Sequence, residues 1–66
     1  MTFETFRDNR GYICDALATY GGGFCQGLAV ALSRADGSNT RRIYEAWPEL
    51  WADYGPGGRF FQRHGC

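Results

Sequence analysis

Sixty-six residues bound one domain, taken as residues 1–66, and a chain this short buries a core worth only about 3–5 kcal/mol unless something reinforces it. Seven arginines, no lysine and seven carboxylates sum to a formal charge of zero, which excludes a uniformly basic nucleic-acid binder and a uniformly acidic protein alike. Eleven aromatic residues are the visible reinforcement, since each ring removes on the order of 150–250 Å² from water when buried.

Thr2 or Thr5 can cap a first helix, and Thr5 followed by Asp8 resembles a capping box. Phe3, Phe6, Ile13, Leu17 and Tyr20 then recur at helical steps, with Arg10 completing the series, and make one apolar stripe. Gly11 marks a close approach, a kink or a break after Asn9-Arg10, and one helix is expected to run to about Tyr20. Gly21-Gly22-Gly23 ends it, on the expectation that glycine supplies positive φ at a helix C-terminus and turns the chain antiparallel.

The stretch FCQGLAVALSRA, from Phe24 to Ala35, is the central helix around which the rest should pack. Phe24, Leu28, Ala31, Leu32 and Ala35 share a face, Cys25 and Ala29 flank it, and so few residues are polar that the helix is expected to be covered on several sides. Gly37 should terminate it and Ser38 or Asn39 cap a third helix starting near Thr40. Ile43, Trp47, Leu50 and Tyr54 form the third stripe, with Tyr44 and Trp51 beside it. Pro48 interrupts that stripe, so the segment is kinked or is two short helices with Pro48 at the first position of the second. Gly55-Pro56-Gly57-Gly58 stops helical structure, and Phe60 and Phe61 of the tail are expected to fold back onto the core. The fold class expected is therefore all-α: a small three-helix domain with the third helix kinked at Pro48 and a short irregular C-terminal tail.

Chemistry-bearing motifs are sparse. His64, in a Gly-flanked tail, has no carboxylate at a useful spacing, and with Cys66 it makes a His-x-Cys pair, short of the roughly four ligands zinc takes. The glycine run before the central helix lacks the lysine of a P-loop and the dinucleotide fingerprint, so turn chemistry explains it. Cys25 has no histidine near it in sequence to serve as base. No catalysis, metal or cofactor is expected. Cys14, Cys25 and Cys66 are odd in number and accompany no signal peptide, which predicts free thiols in an intracellular protein, although Cys14 and Cys25 can face each other across a helical hairpin. No apolar run approaches the ~18 residues of a membrane span.

Charge placement is the most informative pattern. Glu4, Asp8 and Asp15 are spaced to share a face opposite the first stripe, and Glu45, Glu49 and Asp53 lie outside the third, subject to the kink. These six carboxylates are the candidate partner-binding residues: two outward rows able to engage an arginine-rich or lysine-rich site on a protein, such as one built for nucleic acid. An ordinary solvated face is the plainer explanation. Arg34, Arg41 and Arg42 around the second turn, with Arg59 and Arg63 in the tail, offer a weaker nucleic-acid signal, and Arg41 with Glu45 reads more simply as an intrahelical pair.

Asn9-Arg10-Gly11-Tyr12, Tyr20-Gly21-Gly22-Gly23-Phe24, Ala31-Leu32-Ser33-Arg34-Ala35-Asp36, Asn39, Arg42-Ile43, Trp47-Pro48-Glu49, Trp51 and Tyr54-Gly55-Pro56-Gly57 together resemble a group of very short phage and prophage proteins of bacteria. Some small phage proteins of this kind are anti-CRISPR proteins, and the chain is similar to those directed against type I-C systems. The resemblance covers about residues 9–58 and rests on helix junctions and core positions, so it transmits a fold more securely than an activity. It implies a non-enzymatic inhibitor that binds a protein subunit of a CRISPR effector complex and blocks target DNA; a monomer in the host bacterial cytoplasm, without direct nucleic-acid or membrane contact, is expected. The alternatives are a small phage nucleic-acid-binding or transcriptional accessory protein using Arg34, Arg41 and Arg42, and a phage assembly component.

Overall fold

Thr2 opens the first helix: its side chain accepts a hydrogen bond from the Thr5 amide at 3.2 Å and starts α1, Phe3–Asp8. In the computed structural model, which describes residues 1–62, Thr5 is thus an interior residue of α1 and the expected Thr5-Asp8 capping box does not form. Expectations placed on Arg63, His64 and Cys66 lie outside the described residues.

Asn9 divides the expected first helix in two. Its amide N–H donates to the Thr5 and Phe6 carbonyls (3.2 and 3.3 Å), its side-chain Nδ2 donates to the same Thr5 carbonyl at 2.8 Å, and its own carbonyl accepts from Ile13 at 3.0 Å. Short amide side chains compete with the backbone in this way, which makes Asn9 the end of α1 and the cap position of α2, Arg10–Tyr20. The break falls at Asn9, while Gly11 is an ordinary residue of α2 with open space around it.

Gly21 and Gly22 join α2 to α3, Gly23–Ser33, and α2 and α3 pack on each other more extensively than any other pair of helices. The turn does not use positive φ as expected, since Gly21 has φ −83° and ψ 161°. Space is the reason for glycine here: a Cβ at Gly21 would run into the Cys25 side chain and sit 2.7 Å from the Leu17 carbonyl oxygen. Among the described residues, only Gly57 has positive φ, at 85°.

Asp36, not Ser38 or Asn39, caps the next helix, accepting from the Asn39 amide at 2.8 Å, so α4 runs Gly37–Ala46 and begins three residues before the expected Thr40. Gly37 therefore opens a helix instead of terminating one. At the other end the chain breaks outright. The residue before a proline is pushed out of the helical region, and Trp47, at φ −132° and ψ 62°, leaves it. A 3-10 turn over Pro48–Leu50 leads into α5, Trp51–Tyr54, with Pro48 at a position that needs no N–H donor. The described residues are mostly helical and contain no strand; five helices replace the three expected, and the Pro48 kink is a break.

Phe6, Ile13, Leu17 and Leu32 are sealed from solvent, with Ala16, Leu28, Ala29, Trp51 and Tyr54 completing the core. The Phe6 ring lies 4.7 Å from that of Trp51 and 5.0 Å from that of Tyr44, in tilted contacts that join α1 to α4 and α5. Trp51 Nε1 donates to the Tyr44 carbonyl at 2.9 Å, so the indole is buried with its polar atom satisfied. Arg10 reaches from α2 across the α3–α4 junction to the Ala35 carbonyl (3.2 Å) and the Oγ1 of fully buried Thr40 (3.4 Å). Its place in the apolar stripe reflects this bridge.

α3 is covered on one side only. Leu28, Ala29 and Leu32 are buried and Cys25 is half-buried, but Phe24 is 60% exposed, Val30 is 55% exposed and Ala31 faces solvent. Sixty-six residues do not supply enough neighbours to surround an apolar helix. In the tail, Phe60 stacks between Tyr20 (5.2 Å) and Tyr54 (5.1 Å), and Phe61 meets the edge of Tyr12 at 6.0 Å. The Phe60 amide donates to the Asp53 carbonyl at 2.9 Å, which ties the tail back to α5.

Candidate partner-binding surface

The outward position of the acidic residues follows from the stripes: each helix turns its apolar side to the core and leaves carboxylates on the far side. Glu4 and Asp8 are exposed on α1, Asp15 on α2, Glu45 on α4 and Glu49 on the 3-10 turn, while Asp53 of α5 is half-buried. The rows themselves do not carry over as written. Spacings of four and seven place residues on one face only within an unbroken helix at about 100° per residue, and the chain leaves helical geometry at Asn9 and at Trp47. Glu4 and Asp8 share one short helix; Asp15 belongs to the next. Glu45, Glu49 and Asp53 sit on three successive elements.

Local arginines partly offset this charge. Arg7 Nε pairs with Asp8 at 3.3 Å, Arg41 Nε with Glu45 at 3.3 Å and Arg59 Nε with Asp53 at 3.6 Å. All six side chains are at least half exposed, so solvent screens each pair and it contributes at most about 1 kcal/mol. Glu4 and Glu49 make no ion pair among the described residues. Arg41 is engaged a second time, its guanidinium lying 5.2 Å from the centre of the Phe3 ring, whereas Arg34 and Arg42 stand exposed at the end of α3 and on α4.

Two surfaces emerge that the spacing of charges did not indicate. The first is the open sector of α3, where Phe24, Gly27, Val30 and Ala31 lie within about 120° of each other on the helix circumference. Among the described residues the Phe24 ring packs edge-to-face with that of Trp47, centroids 5.6 Å apart, and a Cβ at Gly23 or Gly27 would meet nothing within 4 Å. Its signal was present in the all-round apolarity of this helix, read as burial. The second is a groove of about 390 Å³ lined by Met1, Tyr44, Pro48, Trp51, Ala52, Pro56 and Gly57, with the Tyr44 hydroxyl donating to the Met1 carbonyl at 2.8 Å. Residues far apart in sequence line it, so no local pattern could reveal it.

The Cys14 thiol is not activated. Cys14 and Cys25 are free and half-buried. Burial pushes the Cys14 thiol pKa up, an effect that nearby Arg10 opposes and Asp15 reinforces, so the neutral form is favoured. Burial likewise raises the Tyr54 hydroxyl, with the Cys25 thiol beside it adding to the shift. No group of three His, Cys, Asp or Glu side chains among the described residues is placed to hold a metal ion. No described helix is long and apolar enough to cross a membrane. No family model matches the chain, and no curated protein or solved structure is significantly similar to it.

Proposed function

We propose that this chain is a phage-encoded anti-CRISPR protein that binds a protein subunit of a type I-C effector complex in the bacterial cytoplasm and blocks recognition of target DNA without catalysis. The resemblance of residues 9–58 to small phage proteins suggests the class, and the observation that carries the binding mode is the exposure of Glu4, Asp8, Asp15, Glu45 and Glu49 on short helices. A protein site that normally holds DNA is lined with cations that are undercompensated when empty. Carboxylates carried on a packed helical frame can occupy such a site at little ordering cost. The exposed pairs of Asp8 with Arg7 and Glu45 with Arg41 are weak enough to be exchanged for a partner's cations. Zero net charge restricts the imitation of DNA to local patches.

The test is to express the chain in a host carrying a type I-C system, challenge it with a targeted phage and assay co-purification with the effector. The expected result is protection together with direct binding that weakens as salt rises and falls at least ~10-fold when Glu4 and Asp8, or Glu45 and Glu49, are reversed to lysine. No protection, combined with a salt-dependent shift of bare DNA that is lost in a variant with Arg34, Arg41 and Arg42 replaced by alanine, would favour a nucleic-acid-binding accessory protein instead.

A further inference from the structure

We draw no further inference here: the strongest candidate, the exposed apolar sector of α3 formed by Phe24, Gly27, Val30 and Ala31, carries nothing because nothing in the structure shows what covers it.

Discussion

Two glycines of the α2–α3 hairpin have opposite relations to their surroundings. Gly27 lies inside α3 with nothing within 4 Å of where a Cβ would stand, so Gly27→Ala removes backbone entropy from the unfolded chain without a clash. A gain of about 0.5–1 kcal/mol is expected in urea unfolding. A Cβ at Gly21 would collide with the Cys25 side chain, so Gly21→Ala is expected to cost about 1–3 kcal/mol in the same assay. Cys14 gives a prediction in pH. Its folded pKa is raised above the ordinary 9.0, so the unfolded chain loses this proton first. The stability contributed by the neutral buried thiol is complete below pH 9.0 and drains as pH climbs through the raised folded value. Tyr54 acts in the same direction only above its ordinary 10.0, so the interval from pH 9.0 to 10.0 isolates Cys14, and Cys14→Ala should flatten the stability profile there. Equal slopes for variant and parent across that interval would contradict the assignment.

At the scale of elements, two junctions shape the chain, and each is decided by one residue competing with the helix. Asn9 is buried and its side chain occupies the Thr5 carbonyl, so Asn9→Ala removes a hydrogen bond within a helix junction. The expected cost is about 1 kcal/mol by urea unfolding, with helical circular dichroism undiminished, because alanine favours continuation of the helix. Trp47-Pro48 is legible as an interruption from sequence, since proline restricts its predecessor wherever it stands. Asn9 is less so: asparagine is tolerated inside helices, and only the satisfied side-chain bond in the folded chain distinguishes a break from a passenger. The same uncertainty dissolved the acidic rows. Their spacing was readable, but face-sharing presupposes helices that run through Asn9 and Trp47.

Across the molecule, the tail closes the fold. Phe60, held between Tyr20 of α2 and Tyr54 of α5, ties the last element to the hairpin. Because the ring is only half-buried, Phe60→Ala is expected to cost about 2 kcal/mol, below the roughly 3–5 kcal/mol of a fully buried phenylalanine. A thermal denaturation midpoint unchanged in this variant would show the stack to be idle. Arg10 makes the complementary tie, from α2 to Ala35 in the turn before α4 and to Thr40 within α4, and exchanges an apparent stripe position for a bridge between distant segments.

Helical class, the Phe6, Ile13, Leu17, Leu28 and Leu32 core and the return of the tail phenylalanines follow from short-range chemistry: helical periodicity and the cost of leaving adjacent aromatic rings in water. Which side of α3 stays open came only with tertiary packing. The physical reason is that periodicity records which residues prefer burial, while the supply of neighbours decides which of them obtain it. In a chain of 66 residues that supply runs out before Phe24 and Val30 are covered.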